Sequence, residues 1–275
     1  MNLALSQELK SSLLNQLKNI EDNDVALFLS AGIDSRALLF GLLELRKNVH
    51  IYTFRLDGVY SRDFRVAKQL AEFYGLEFTE VILPNDIDTL KRDLLYLIND
   101  LDLKKKTDIE CTWAMLYAIK MVKEKYIVAG LGADGHFVIS KKGMIHYRDS
   151  IEHMNQFREQ LFSNPNYAQM QTLTHICKNY NKMIMSPFIN DDVIELFKDT
   201  SWEEINRPKQ KQIILDMYAS EFAKNKFFEH TNFQKGDSEI SEHFKKLLDT
   251  NWKVGKGVVS IYNAIKNKKI TENDI

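Results

Sequence analysis

Cysteine, net charge and long apolar runs are all scarce in this sequence. Only two cysteines occur in 275 residues, Cys111 and Cys177, and they fit neither a disulfide scaffold nor a zinc site, which indicates a reducing, cytoplasmic compartment. The formal net charge is −1, so no overall positive field attracts nucleic acid. No apolar run is long enough to span a membrane, and no segment reads as a signal peptide. We therefore expect neither nucleic-acid nor membrane partners.

Short apolar runs alternate with helical patterns through the first half of the chain. The pattern predicts strands over residues 25–29, 49–54, 78–83 and 126–129, and helices over residues 35–46, 61–74, 87–99 and 110–125. Strands that alternate with helices in this way are typical of a parallel sheet with helices on both faces. The sequence therefore predicts an α/β fold with a doubly wound parallel sheet.

Helical patterns dominate after about residue 150. They lie over residues 151–161, 167–180, 191–198, 209–222, 237–248 and 258–266. We predict an N-terminal helix within residues 1–22, an α/β domain over 23–150 and a helical region over 151–275. This region is expected to pack at the carboxyl edge of the sheet, where open α/β sheets bind ligands.

The stretch SAGIDS, residues 30–35, lies where the first predicted strand passes into a helix. Free backbone N–H groups and the helix dipole at such a position favour an anion, and Ser30 and Ser35 can donate hydrogen bonds to phosphate. Gly32 permits a tight turn. Asp34 fits this site only if it binds Mg²⁺. Equally, the stretch can be a simple turn in which Asp34 caps the helix.

A second glycine-rich stretch, AGLGADGHF over residues 129–137, follows the fourth predicted strand. It carries one carboxylate, Asp134, next to Gly130 and Gly132. Parallel strands end at one edge of a sheet, so Asp34 and Asp134 are expected to share one or two Mg²⁺ ions on a triphosphate.

SAGIDS resembles the SGGxDS pyrophosphate loop of the N-type ATP pyrophosphatases, with Ala31 in place of the first glycine. AGLGADGHF resembles a segment of the asparagine synthetases and β-lactam synthetases, and weaker similarities extend the resemblance over about residues 20 to 240 of their synthetase domain. The resemblance implies a HUP-like sheet, as in the adenine nucleotide alpha hydrolases, and ATP and Mg²⁺ as cofactors. It implies that a substrate carboxylate attacks the α-phosphate, releasing pyrophosphate, and that an amine or ammonia then forms an amide.

The resemblance also assigns roles to individual residues. Lys211 matches the catalytic lysine of the family, with Lys209 as the alternative if the register differs. Asp34 and Asp134 are the predicted metal ligands. The predicted nucleotide contacts are Leu29, Ser30, Ala31, Gly32, Ile33, Asp34, Ser35, Phe54, Gly130, Gly132 and Asp134.

The sequence departs from the family at its start. Family members that use glutamine carry an N-terminal amidotransferase domain with cysteine as residue 2, whereas this chain begins Met1-Asn2 and soon reaches the first strand. The expected nitrogen source is therefore free ammonia, an amine on a substrate, or ammonia from a separate glutaminase subunit.

The proton acceptor of the family is also replaced. Leu131 stands where asparagine synthetases have Glu and β-lactam synthetases have Tyr, and leucine cannot take a proton. Either another residue takes this role, with Glu152, Glu159 and His136 as the candidates, or the amine arrives neutral, or the amide-forming half of the reaction differs.

Two acidic residues, Asp108 and Glu110, lie in the stretch that corresponds to the family's substrate-binding segment. Their charge disfavours a substrate carboxylate and favours a cationic group, so we expect a substrate other than aspartate that presents an amine. Alternatively, Asp108 simply caps a helix.

Two other functions remain open. A pyrophosphatase-loop enzyme that thiolates tRNA would need paired cysteines, and one that makes lysidine would need a basic surface. A non-catalytic module that binds adenine nucleotides is favoured by Leu131 and opposed by the retention of Asp34, Asp134 and Lys211.

Overall fold

The structure, a computed structural model, describes residues 3–225, 239–248 and 257–271. Within them lies one sheet made of β1 (Asp24–Phe28), β2 (Asn48–Leu56), β3 (Glu77–Leu83), β4 (Tyr126–Ala129) and β5 (Met183–Met185). The strand order is β3-β2-β1-β4-β5, and every neighbouring pair is parallel. The predicted α/β class with a doubly wound parallel sheet is confirmed.

Helices connect the strands and form most of the second half of the described chain. In chain order they are α1 (Leu3–Lys18), α2 (Ile33–Glu44), α3 (Arg62–Tyr74), α4 (Ile87–Leu95), α5 (Lys106–Met121), α6 (Ala133–Phe137), α7 (Lys141–His146), α8 (Ile151–Phe162), α9 (Met170–Lys178), α10 (Asp191–Leu196), α11 (Trp202–Asn206), α12 (Gln212–Met217), α13 (Ala219–Lys224), α14 (Ile240–Leu248) and α15 (Val258–Lys266). A π-helical turn, Tyr96–Asp100, and two 3₁₀ turns, Tyr167–Gln169 and Pro187–Ile189, complete the helical elements. Over the described ranges, no helix has the length and apolarity needed to cross a membrane.

The sheet separates two hydrophobic clusters, because side chains of a strand alternate between its faces. On one face, Val25 and Leu27 of β1 pack with α1, α2, α3 and α12. On the other face, Ala26 packs with α4, α5, α9, α14 and α15. The carboxyl ends of β1 and β4 therefore open into a crevice with α2 and α3 on one side and α5 and α9 on the other.

Local signals predicted the first four strands to within two residues at each end. Helix α3 also begins and ends as predicted: the Ser61 Oγ accepts a hydrogen bond from the Phe64 N–H at 3.2 Å, and Gly75 ends the helix with φ +64°. The short strand β5 was not predicted and lies in the region expected to be helical. The division of the chain at residues 22 and 150 stays a prediction.

His136 of α6 is a fully buried residue of the core. Its Nε2–H donates to the Phe188 carbonyl oxygen at 2.7 Å, and its ring is stacked between those of Phe162 and Phe197. Burial lowers the pKa of His136 to about 3, so the imidazole is neutral at physiological pH. The Arg158 guanidinium donates to the carbonyl oxygens of His136 and Phe197, which fixes this part of the helical layer.

We expect His136 to make the protein sensitive to acid. An unfolded histidine binds a proton below about pH 6.5, whereas folded His136 does not until about pH 3. Stability is therefore full above the unfolded pKa and falls as the pH drops between these values, by about 2 kcal/mol at pH 5. Urea unfolding at pH 5 and pH 7.5 should show a smaller pH effect in His136→Phe than in the wild type. The exposed control His153→Gln should keep the wild-type difference, and an unchanged difference in His136→Phe would contradict this account.

Candidate active site

A cavity of about 230 Å³ opens at the carboxyl ends of β1 and β4. This is the switch point of the sheet, where connections leave on opposite faces and where ligands bind in such folds. Its described lining comes from the ends of β1 and β2, the loops after β1 and β4, the start of α3, and one side of α5 and α9.

The loop after β1 is held by hydrogen bonds among its own residues. The Ser30 and Ser35 hydroxyl oxygens lie 3.0 Å apart, and the Gly32 N–H donates to the Ser30 Oγ at 3.1 Å. Gly32 is the N-cap of α2 and no side chain caps this helix, so the alternative in which Asp34 is the cap is wrong. Asp34 lies in the first turn of α2, where its carboxylate lines the cavity.

The loop after β4 lies against the first loop, and glycine is required for this contact. A Cβ atom on Gly130 would lie 3.0 Å from the Ser35 backbone nitrogen and 3.3 Å from the Asp34 carbonyl carbon. Gly132 has φ +79°, and a Cβ there would lie 2.5 Å from Ile189 Cγ1. The two predicted loops therefore meet, which brings Asp134 to the same place as Asp34.

Lys211 joins the two aspartates. Its Nζ lies 2.5 Å from Asp34 Oδ2 and 2.5 Å from Asp134 Oδ1, and the residue is 7% exposed. Burial alone would lower the pKa of Lys211, but the two carboxylates outweigh it and raise the pKa. The side chain therefore carries a positive charge between two negative ones.

Neighbouring helices hold Lys211 in place. The residue caps α12 in a left-handed conformation with φ +59°, and its N–H donates to Asn206 Oδ1 at 3.0 Å. The Asn206 amide in turn donates to the Phe137 carbonyl oxygen of α6 at 3.0 Å. The Ser6 hydroxyl of α1 donates to the Ile213 carbonyl oxygen of α12 at 2.9 Å. Lys209, the alternative considered from the sequence, is exposed.

The donor set at this point fits Mg²⁺ bound together with phosphate. Two carboxylates converge on one cation, the Lys211 ammonium, and hard oxygen ligands of this kind suit Mg²⁺. No group of three or more metal-ligating side chains occurs in the described part of the chain. Protein sites of this type use one or two carboxylates and leave the remaining positions to water and substrate phosphates.

Asp63 is a third carboxylate in the cavity that the sequence analysis did not identify. It lies in the first turn of α3, and its Oδ1 accepts a hydrogen bond from the Ala31 N–H at 2.8 Å. A carboxylate oxygen thus accepts the hydrogen bond of one backbone N–H in the loop that was predicted to bind phosphate. Binding of phosphate by this loop stays a prediction.

Most predicted nucleotide contacts line the cavity. The members that do so are Leu29, Ser30, Gly32, Asp34, Ser35, Phe54, Gly130, Gly132 and Asp134. Ala31 and Ile33 belong to the same loop, but they are not part of the lining, and Ala31 reaches the site through its backbone N–H. Leu131 also lines the cavity, and its carbonyl oxygen accepts a hydrogen bond from the Ser186 hydroxyl at 2.6 Å.

The predicted substrate contacts Asp108 and Glu110 do not line the cavity. Glu110 is fully buried and is bound by the Lys106 ammonium at 2.5 Å, the Ser241 hydroxyl at 2.6 Å and the Tyr262 hydroxyl at 3.4 Å. It therefore connects α5 to α14 and α15. Asp108 lies in the first turn of α5, where its carboxylate accepts from the Thr107 hydroxyl at 3.2 Å and makes no capping bond, since Lys105 is the N-cap. The expectation of a cationic substrate group, which depended on these two charges, is not supported.

The three candidate proton acceptors also lie away from the cavity. Glu152 and Glu159 are exposed on α8, and His136 is enclosed between two phenyl rings. None of the three is part of the described lining.

Five lining residues on the α5 and α9 side were not identified from the sequence as cavity residues: Cys111, Thr112, Met115, Gln169 and Leu173. Cys111 and Thr112 lie one and two residues beyond Glu110, on a different side of α5, and Gln169 precedes α9. Successive residues of a helix point about 100° apart, so Cys111 and Thr112 face the cavity while Glu110 does not. Burial, and then the nearby charges of Glu110 and Asp108, raise the pKa of Cys111 to about 12, which keeps it a thiol.

Comparison with known proteins gives a family match and several distant structures. Residues 4–171 match the asparagine synthase family. A search of curated proteins found no match. Among solved structures, the U34-tRNA thiolase NcsA from Methanococcus maripaludis, which carries a [4Fe-4S] cluster, is 16% identical with a TM-score of 0.41, covering 96% of this chain and 78% of its own.

Two synthetases are also similar. The NMN synthetase from Francisella tularensis is 12% identical with a TM-score of 0.34, covering 85% of this chain and 99% of its own. The NH3-dependent NAD synthetase from Campylobacter jejuni is 13% identical with a TM-score of 0.34, covering 83% of this chain and 97% of its own.

We expect Asp63 to compete with phosphate for the first loop. Replacing it in Asp63→Ala removes both a rival acceptor for the Ala31 N–H and a like charge, so pyrophosphate should bind about tenfold more tightly without divalent metal. Isothermal titration calorimetry measures this directly. The control Glu72→Ala removes the same charge from the exposed far end of α3 and should bind as the wild type does. If Asp63→Ala binds pyrophosphate more weakly than the wild type in the presence of Mg²⁺, and equally well without Mg²⁺, then Asp63 is a metal ligand instead.

Proposed function

Because the chain belongs to the asparagine synthase family, we propose that it is an ATP-dependent amide ligase that forms AMP and pyrophosphate. Family membership supports the coarser statement that this is an ATP-using enzyme of the ligase or synthetase type. The observation that carries the finer proposal is the position of Lys211 between Asp34 and Asp134 at the mouth of two glycine-rich loops.

The proposed first step is attack of a substrate carboxylate on the α-phosphate of ATP, with pyrophosphate as the leaving group. The loop around Ser30, Gly32 and Ser35 would bind the pyrophosphate through backbone N–H groups and hydroxyls. Asp34 and Asp134 would hold Mg²⁺, which when bound supplies positive charge to the leaving group. Lys211, kept protonated by the two carboxylates, would add a second positive charge as negative charge develops.

The proposed second step is attack of an amine or ammonia on the acyl-adenylate, which forms the amide and releases AMP. Leu131 cannot accept a proton, so we propose that the nucleophile arrives as a neutral amine, either on a substrate or as ammonia. A separate glutaminase subunit is one source of that ammonia. Exclusion of water by the apolar side chains around Leu131 and Met115 would limit hydrolysis of the adenylate.

Thiolation of tRNA is less well supported. Such a reaction needs a reactive thiolate, whereas burial raises the pKa of both cysteines to about 12. Cys111 lines the cavity, while Cys177 is fully buried in α9 and is not in the described lining. A nucleotide-binding module without catalysis remains the second candidate, and Leu131 is the observation that favours it.

The position of ATP cleavage tests the proposal. Purified protein is incubated with Mg²⁺, ATP and a library of carboxylic acids, each with and without ammonia or a primary amine, and AMP, ADP, pyrophosphate and phosphate are measured. We expect AMP and pyrophosphate in equal amounts, with net amide formation only when both an acid and an amine are present. ADP and phosphate as products, or ATP binding without turnover for every acid, would contradict the proposal.

Replacement of Lys211 separates chemistry from binding. Lys211→Met keeps an unbranched side chain as far as Cε and removes the ammonium, so we expect pyrophosphate release to fall at least a hundredfold while Mg²⁺-ATP still binds within about fivefold of the wild type. Lys209→Met, two residues away and exposed, is the matched control and should retain full activity. Comparable losses in both variants, or loss of activity in Lys209→Met alone, would show that the lysine is misassigned.

A further inference from the structure

We propose that the side of the cavity formed by α5 and α9 binds the acyl part of the substrate, and that this part is uncharged apart from the carboxyl group that reacts. The cavity residues on that side are Cys111, Thr112, Met115, Gln169 and Leu173. The inference rests on the proposed function and specifies the class of acid that the same site accepts.

The location follows from where the phosphate groups bind. The first loop leads into α2, and Asp63 belongs to α3, and both helices pack on the same face of the sheet. Helices α5 and α9 pack on the opposite face and border the crevice from the other side. An acid that attacks the α-phosphate of a nucleotide held by the first loop therefore meets α5 and α9.

The charge of the lining excludes a second carboxylate. Among the described residues, the charged side chains that line the cavity are Asp34, Asp63 and Asp134, and no lysine, arginine or histidine does so. Lys211 already contacts two of these aspartates. An acid with a further carboxylate, such as an α-amino dicarboxylic acid, would bring another negative charge to a partly enclosed acidic cavity without a cation to pair with it.

Among the described residues, no carboxylate of α5 lines the cavity to pair with a substrate ammonium on that side. Glu110, the residue that would attract one, is fully buried and contacts Lys106, Ser241 and Tyr262. The α5 residues that do line the cavity are a thiol, a hydroxyl and a thioether, from Cys111, Thr112 and Met115. These groups suit a neutral ligand that is partly apolar.

Thr112 supplies a specific polar contact. The residue is 1% exposed, it lines the cavity, and its hydroxyl oxygen is buried without a hydrogen-bond partner in the described part of the protein. A buried hydroxyl left without a partner costs about 1–3 kcal/mol, so such groups are rare in folded proteins. A carbonyl, hydroxyl or amide group on the bound acid would satisfy it.

Gln169 brings a second polar side chain to the cavity from the turn that precedes α9. Ala168 and Gln169 both adopt left-handed conformations, with φ +50° and +60°, which are costly for residues other than glycine. The turn is held by Asn166, whose amide donates to the Thr172 hydroxyl at 3.0 Å and whose Oδ1 accepts from the Thr172 N–H at 3.1 Å. Gln169 lines the cavity, so its side-chain amide is a second candidate contact for the acid.

Exchange of labelled pyrophosphate into ATP measures the adenylation step for each acid. The probes are two sets of acids matched in size: uncharged ones, such as aliphatic, aromatic, hydroxylated and N-acylated acids, and ones with an additional carboxylate or ammonium, including aspartate, glutamate and lysine. We expect exchange with members of the uncharged set and at least tenfold less with their charged counterparts. Faster exchange with a charged acid overturns this inference alone, whereas no exchange with any acid overturns the proposed function and the inference with it.

Two substitutions at Thr112 then test the contact, with the best acid of the panel as substrate. Thr112→Val keeps the shape and removes the hydroxyl, so the KM for the acid should rise threefold to tenfold, as expected for one hydrogen bond, while the KM for ATP stays within about twofold. Thr112→Ser keeps the hydroxyl and should stay near the wild-type KM for the acid. A rise in the KM for ATP instead, or equal effects of the two substitutions, overturns the assignment of Thr112 to the acyl group.

Discussion

The attraction between the Lys211 ammonium and the carboxylates of Asp34 and Asp134 is the interaction on which the candidate site depends. The three groups come from the start of α2, the start of α6 and the start of α12, and each lysine–carboxylate distance is 2.5 Å. Lys211 and Asp34 are largely buried, with 9% and 15% of their side chains exposed, whereas Asp134 is 68% exposed, so loss of the lysine charge is costly chiefly for Asp34. Helices α1 and α11 therefore do more than cover the sheet: Asn206 at the end of α11 binds the Lys211 N–H, and Ser6 of α1 binds α12, which Lys211 caps. In the proposed reaction, the same positive charge would stabilise the negative charge of the phosphates.

Sheet geometry makes this arrangement possible. Because β1 and β4 are parallel neighbours, their carboxyl ends release two loops side by side, and Gly130 allows the second loop to touch the backbone of Ser35. The two faces of the sheet then supply different surroundings. The α2 and α3 side offers backbone donors for an anion, one of them bonded to Asp63, while the α5 and α9 side offers neutral side chains. In the proposed reaction, the phosphates of ATP and the acyl group of the acid would thus meet at the carboxyl edge of the sheet, between these two sides.

Local sequence signals predicted the elements and the two loops better than the side chains that face the cavity. Ser61 and Gly75 mark the ends of α3 through capping, which depends only on neighbouring residues. The strand β5 has three residues, too few for a periodic pattern, and its position depends on pairing with β4.

Glu110 was assigned to the substrate because it lies in the stretch that corresponds to the family's substrate-binding segment. In the tertiary structure its side chain instead contacts Lys106, Ser241 and Tyr262. Asp63, Thr112 and Gln169 give no local signal, because only the packing of α3, α5 and α9 brings them to the cavity. The segment over residues 232–236, a faint part of the family resemblance, lies outside the described residues.

A crystal structure of the protein with Mg²⁺ and a non-hydrolysable ATP analogue tests the central claim most directly. The account predicts that the β- and γ-phosphates lie on the loop around Ser30, Gly32 and Ser35, that Mg²⁺ is bound by Asp34 and Asp134, and that the Lys211 ammonium contacts a phosphate oxygen. It also predicts that the Ala31 N–H donates its hydrogen bond to a phosphate oxygen instead of to Asp63. An analogue bound away from these loops, or one bound in the cavity with Lys211 still bridging the two aspartates and no metal between them, would contradict it.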